Sequence, residues 1–278
     1  MENYYLENLQ LYYHGRYVSF RMMPFTFKEM CELKNIENQK EEEFLKYVEW
    51  GGMPAIFSLN TNQERSTYLQ DIYSSVVLKD IVARYKIKDV DLLNKIIQFM
   101  MENIGGIFSA NSIKKYLKQE GLSIAPNTIY NYVEYINSSL LLDKVNRYAI
   151  KGKSVLATLE KYYLVDMGIL QSKKSTIEKK IGGRLENIVY NELIARGYKV
   201  HIGKTTNGEI DFVVDNFGEI TYIQVADHLS SEEVVEREFG AFDEIKDNFP
   251  KYVLTMDKID YSMKGIKHMN IIDFLLQE

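Results

Sequence analysis

One cysteine, Cys31, stands alone in 278 residues, so the sequence can close no internal disulfide and build no thiolate zinc site. Its four histidines, His14, His201, His228 and His268, fall on separate stretches and form no ligand set. No apolar run approaches the roughly 18 residues a spanning helix needs, which excludes a membrane helix. No charged-apolar-small leader is recognisable either, and with the lone cysteine this points to a reducing cytosol. Basic charge is short as well: the net charge is -5, so any nucleic-acid contact must rest on a local patch. Finally, no G-x-x-x-x-G-K-[ST] loop occurs, so nothing would cradle the phosphates of ATP, and neither nucleotide binding nor ATP hydrolysis is expected of this chain.

What is present, 46% hydrophobic and 26% charged residues, is the composition of a soluble globular protein. The length suits about two domains. Residues 1–30 read as a strand followed by a helix start at Thr26-Phe27-Lys28-Glu29. Residues 31–88 read as a helical linker: a charged run over 37–50 broken by Phe44, Leu45 and Val48, a Gly51-Gly52-Met53-Pro54 break, and a helix from Arg65 to Tyr85.

Residues 89–168 form the clearest unit. A helix from Leu92 to Asn103, a second opened by Ser109 and running to Gln119, and a third from Asn127 to Leu142 predict a helix-turn-helix. Ile129, Val133, Ile136 and Leu140 face its core. Alternation over 143–150 and 155–165 predicts a two-stranded wing. The third helix offers Asn127, Tyr130 and Asn131 but no cation of its own. Lys114, Lys115, Lys118, Lys144, Arg147, Lys151 and Lys153 lie around it, seven basic residues against Glu120, Glu134 and Asp143. Such a patch suits sequence-independent contact with phosphates better than base reading, so DNA is the expected partner of this surface.

A polar, basic segment over 171–184 marks a linker into the last unit, residues 175–278. There a helix from Leu185 to Arg196 ends at Gly197. Strands follow at 198–202, 209–215 and 220–225, with a turn at Asn216-Phe217-Gly218 between the last two. A helix over 232–248, a strand over 252–255 and a closing segment over 270–276 complete it. The fold class is therefore α+β: a helical linker and winged helix-turn-helix, then an α/β unit with a mixed sheet.

Several motifs add a resemblance. Gly15-Arg16-Tyr17 and Pro24-Phe25-Thr26-Phe27, the Gly-Gly-x-Pro turn, Lys161-x-Tyr163-x-x-Asp166-x-Gly168 and Gly183-Arg184-Leu185-Glu186-Asn187 together resemble the C-terminal part of bacterial and archaeal AAA-type ATPases. That resemblance covers nearly the whole chain but not the Walker-containing half. It would make residues 1–30 the end of an ATPase domain, with Arg16 left without a nucleotide to meet.

The α-β-β-β-α-β order of the last unit likewise resembles the PD-(D/E)xK nuclease core. By that resemblance Glu186 is the helix acid, Asp211 the acid of the second strand, and Gln224 stands where an acid is usual. Glu186 and Asp211 would then be the ligands of a Mg2+ ion. Ala226 occupies the place of the lysine that orients the attacking water, which argues against cleavage. Lys199, Lys204, Lys251 and His228 are the bases near enough in sequence to substitute. The same acids have plainer uses, Glu186 bridging to Arg184 or Asn187 and Asp211 starting a strand. The expectation is a cytoplasmic, nucleic-acid-associated protein with a degenerate nuclease-like unit. Two other readings stay open: a protein-interaction or assembly module of an ATPase complex, self-associating or bound to another chain, and a Mg2+-dependent nuclease with a relocated lysine.

Overall fold

The computed structural model describes residues 9–13, 16–173, 181–206 and 208–277, with backbone alone for those up to 20 and for 157–158 and 181. The middle of the expected linker, 174–180, lies outside the described residues, as do His14 and Asn207.

A hairpin of β1 (Leu9–Tyr13) and β2 (Arg16–Phe20) precedes helix α1 (Phe27–Leu33). Thr26 opens that helix with a reciprocal cap. Its hydroxyl accepts the Glu29 N–H at 3.2 Å, and the Glu29 carboxylate accepts the Thr26 N–H at 2.8 Å. Helix α2 (Lys40–Trp50) buries Phe44 and Trp50 and stops at Gly51, whose φ of 76° suits the left-handed side of the map. Helix α3 (Asn62–Ser75), capped by Thr61 and Glu64 in the same way as α1, runs on into a π-helical segment at Val76–Ala83.

Helices α4 (Val90–Glu102), α5 (Ala110–Gln119) and α6 (Pro126–Ser138) close a small core around Leu93, Ile97, Ile113, Leu117, Ile129, Val133 and Ile136, all fully buried. Ser109 caps α5 as its sequence position implies, whereas α6 starts on Pro126 with no side-chain cap. Helix α6 ends four residues before the Leu142 predicted for it. The Ser139 hydroxyl bonds back to the Ile136 carbonyl at 2.7 Å, and Leu140, expected on the core face of the helix, takes φ 58° in the turn instead. That turn drops Leu141 and Leu142 into the core.

One seven-stranded mixed sheet follows, with strand order β4-β3-β5-β6-β7-β8-β9. Its strands are β3 (Leu142–Ala149), β4 (Ser154–Leu164), β5 (Lys199–Lys204), β6 (Glu209–Asn216), β7 (Glu219–Val225), β8 (Lys251–Thr255) and β9 (Lys267–Asn270). The hairpin expected as a wing is formed by β3 and β4, and β3 also pairs in parallel with β5 through Arg147–Ala149. The wing strands are thus the edge of the same sheet. Strands β5, β6 and β7 are antiparallel neighbours, and β7, β8 and β9 are parallel.

Helix α7 (Ile181–Ala195) lies on one face, over Phe212, Val214, Ile223 and Leu254, and α9 (Ile271–Leu276) packs beside it. On the other face Val213, Tyr222 and Val253 meet Phe239 of α8 (Glu232–Gly240), so successive strand residues serve opposite cores. Helix α8 is shorter than the predicted span to residue 248. It stops at Gly240, and successive tight turns, Phe242 N–H to Phe239 and Ile245 N–H to Phe242, carry two further apolar residues onto the sheet. No helix among the described residues is long and apolar enough to cross a membrane.

Candidate functional site

Glu186 lies in the second turn of α7, and Asp211 lies near the start of β6. Between them stands Lys161 of β4, a residue that sequence reasoning placed in a motif without giving it a role. Its ammonium is 3.0 Å from Glu186 Oε1 and 3.6 Å from Asp211 Oδ1, and its side chain is only 6% exposed. Tyr163, two residues along the same strand and on the same face, donates its hydroxyl to Glu186 Oε1 at 2.5 Å. The Tyr163 ring stacks on Tyr190 of α7 at 4.5 Å between centroids, which holds strand and helix in register.

The other expected ligands are already engaged. Asp211 Oδ2 accepts the Val225 N–H at 2.9 Å. Gln224 spends its carbonyl oxygen on the Asp211 N–H at 3.1 Å and its amide on Glu238 at 2.9 Å. Arg237 also binds Glu238, at 2.6 Å. Ala226 is buried and donates its N–H to the Leu254 carbonyl at 3.0 Å, extending the strand ladder.

Charge behaves accordingly. Burial and then the neighbouring Glu186 push the Asp211 carboxyl above the usual range, against the pull of Lys161 and the Val225 N–H. At Lys161, burial works against the charge, but the two carboxylates outweigh it and hold the ammonium above its ordinary value. Burial first, and the Glu186 charge second, keep the Tyr163 phenol protonated. The result is a compact ion triad in which every partner depends on the others.

None of the substitute bases considered from sequence reaches this triad through a described contact. Lys251 binds the Asp247 carbonyl at 2.7 Å, and Lys204 lies 3.4 Å from the Gly208 carbonyl. His228 bonds to Asp257 at 2.9 Å. Glu186 turns to Lys161 and Tyr163 rather than to Arg184 or Asn187. Asn187 is engaged with β4 instead. Its amide accepts the Leu164 N–H at 2.7 Å and donates to the Leu164 carbonyl at 2.8 Å, as a neighbouring strand would. Among the described residues no three His, Cys, Asp or Glu side chains converge in a way that could hold a metal ion.

The expected nucleic-acid surface is partly dismantled. Arg147 is 5% exposed and pairs with Glu209 at 2.8 Å, so it is no surface cation. Lys144 lies between Glu134 at 3.3 Å and Glu160 at 3.7 Å. Lys114, Lys115 and Lys118 on α5 are exposed, as are Lys151 and Lys153 in the β3–β4 turn. Asn127, Tyr130 and Asn131 are exposed on α6, and Tyr130 packs edge-on against Phe108.

Residues 41–179 match the family described as "Domain of unknown function (DUF8612)". The chain is 33% identical over 270 residues to an uncharacterized protein of Haemophilus influenzae, covering 95% of this chain and 66% of the relative. It is 27% identical over 274 residues to the uncharacterized protein MJ1544 of Methanocaldococcus jannaschii, covering 93% of this chain and 60% of that one. The chain thus spans less than two thirds of the length of the curated relatives it matches. No solved structure matches it.

Proposed function

Since the chain belongs to the DUF8612 family, whose description names no activity, we propose from the site itself that it is a nucleic-acid-associated protein that does not cut its ligand. In this reading α4, α5, α6 and the β3–β4 hairpin act as a winged helix against the phosphate backbone. The unit from α7 onward is a restriction-endonuclease-like scaffold derived, with the rest of the chain, from an AAA-type ATPase.

The observation that carries the reading is the ion triad. The Lys161 ammonium, 3.0 Å from Glu186 and 3.6 Å from Asp211, sits where two acids of a nuclease would hold a divalent cation. A Mg2+ ion asks for several oxygen donors in an octahedral shell. Here the carboxylates neutralise a lysine, and the Gln224 carbonyl is taken by a backbone N–H. The donor set does not fit the ion. What remains outside is a set of five exposed lysines, Lys114, Lys115 and Lys118 on α5 and Lys151 and Lys153 in the β3–β4 turn, with the exposed amides of Asn127 and Asn131 on α6, which suits phosphate contact without base reading.

The test is a salt titration of binding to a fluorescent duplex of arbitrary sequence. Affinity should fall with salt, and reversing the five lysines to Glu should flatten the log-log slope by about 0.9 for each phosphate that is no longer neutralised. Affinity that ignores the reversal rejects the binding surface. Cleavage in Mg2+ or Mn2+ that disappears in Asp211→Asn would replace the reading with that of a working nuclease.

A further inference from the structure

Beside the triad, between the end of α4 and the start of α7, lies a cavity of about 270 Å3. Met101, Ile104 and Leu170 give it an apolar floor, and Gly105, Gly106 and Gly183 form its rim. Three charged groups line it, Arg184, Glu186 and Glu102, the last already accepting the Gln98 amide at 2.9 Å. Glu186 reaches it with one oxygen to spare: Oε1 holds Lys161 and Tyr163, while Oε2 has no hydrogen-bond partner among the described residues. A side chain at Gly105 would bring its Cβ to 2.8 Å from that Oε2, and one at Gly183 would come to 3.0 Å from the Ile104 carbonyl. Gly105 therefore leaves the carboxylate face bare, and Gly183 lets α7 approach the end of α4. Arg184 is half-buried, and the charge of Glu49 on α2 acts on it without a close ion pair among the described residues.

The volume lies just below the range of pockets that enclose drug-sized ligands, so it takes one flat heteroaromatic base rather than a longer stretch of polymer. An apolar floor receives the face of such a ring. A fixed carboxylate oxygen selects a ring edge with adjacent N–H donors, and a cation at the rim suits an attached phosphate. Among nucleobases, guanine carries such a pair of donors, N1–H and the 2-amino group, on the Watson–Crick edge by which unstacked bases are read. We propose that this cavity binds one unpaired guanine nucleotide, its donor edge on Glu186 Oε2 and its phosphate toward Arg184. The choice of ligand class rests on the nucleic-acid reading above. The cavity is independent of the five lysines.

Binding of GMP, IMP, AMP and guanosine to the full chain, followed by calorimetry, tests this without altering the fold. GMP should bind saturably, and IMP, lacking the 2-amino group, and AMP, lacking the donor at N1, should each bind more weakly, AMP by about tenfold or more. Arg184→Ala should erase the preference for GMP over guanosine while thermal stability holds. Displacement of GMP by a single-stranded oligothymidine bearing one guanine supports a base within a strand; its failure to displace supports the free nucleotide. Absence of saturable GMP binding, equal affinity for AMP, or a GMP preference that survives Arg184→Ala overturns the assignment. Reversal of the five surface lysines should leave GMP affinity unchanged, so loss of duplex binding there bears only on the docking surface.

Discussion

The carboxylate of Asp166 accepts the N–H of Gly52 at 2.7 Å, joining two short motifs 114 residues apart. It also caps the turn that follows by accepting the Gly168 N–H at 2.8 Å. The group is fully buried, and burial raises its carboxyl to about 6 even against the N–H groups of Gly52, Gly168 and Met53. The Gly-Gly-x-Pro turn and the Asp-x-Gly ending of the strand motif are therefore two sides of one contact. Its glycines are there for closeness: a Cβ at Gly51 would fall 1.9 Å from Asp166 Oδ1, and one at Gly168 would fall 2.1 Å from the Trp50 carbonyl.

This contact separates two kinds of glycine cost. Gly51 and Gly121 both have positive φ, but space is open around Gly121. Gly121→Ala should cost about 1–2 kcal/mol, the ordinary cost of a left-handed residue with a Cβ. Gly51→Ala adds a collision with a buried carboxylate and should exceed about 4 kcal/mol. Urea unfolding of both variants checks the order, and equal losses would refute the role given to Asp166.

Asn187 supplies the next prediction. Its amide satisfies both backbone groups of a fully buried Leu164. Asn187→Leu keeps the bulk and orphans an N–H and a C=O, at a cost of about 2–4 kcal/mol. Hydrogen exchange should accelerate most at the Leu164 amide. Unchanged protection there would show that the clamp contributes nothing.

Removing the cation from the triad should be severe. Lys161→Met leaves buried carboxylates facing each other and should destabilise the fold by about 3–5 kcal/mol. Without the ammonium, the Asp211 carboxyl, already raised by burial, rises further above its unfolded value. The variant therefore regains stability as pH falls from 8 toward 5, where Asp211 takes up its proton. In a Glu186→Gln background the same substitution should cost less, since one of the two charges has gone. Denaturation midpoints across that pH range for the single and double variants decide the matter, and additive losses would rule out the coupling.

A milder pH dependence belongs to His228. Its hydrogen bond to Asp257 raises its pKa above 6.5, helped by Asp227 and opposed by slight burial. The protonated form is thus favoured by folding, so its contribution is fully present below the unfolded value and fades as pH rises through the folded one. Wild type should melt above His228→Gln at pH 5.5, and the gap should close by pH 8.5. The imidazole is half-exposed, so the gap is small. A gap that widens with pH contradicts the assigned pair.

Much of the element order was legible because it is local. Ser109 capping α5, Thr26 capping α1, Gly197 ending α7 and Phe217-Gly218 turning the β6–β7 hairpin all act within a few residues of themselves. Glu186 and Asp211 were singled out as well, and the structure brings both to Lys161. What the sequence hid is non-local. Lys161 meets Glu186 across 25 residues, and nothing in its neighbours distinguishes it from a surface lysine except Tyr163 on the same strand face. Arg147 looked like part of a basic patch because charge counting ignores direction. Alternation on β3 puts it inward, where Glu209 of β6, from the last unit, awaits it. The pairing of β3 with β5 was equally invisible, since parallel neighbours far apart in sequence leave no turn signal between them.

That pairing also sets how force would travel. Arg147, Tyr148 and Ala149 run alongside Ile202, Gly203 and Lys204, so the hairpin that follows α6 and the strands that follow α7 form one hydrogen-bonded plate. A pull on α6 along the strands loads those rungs together, in shear, rather than opening them one at a time. A partner seated on the helices would therefore drag the triad's strands with it, and the molecule would answer a tug as a stiff lever.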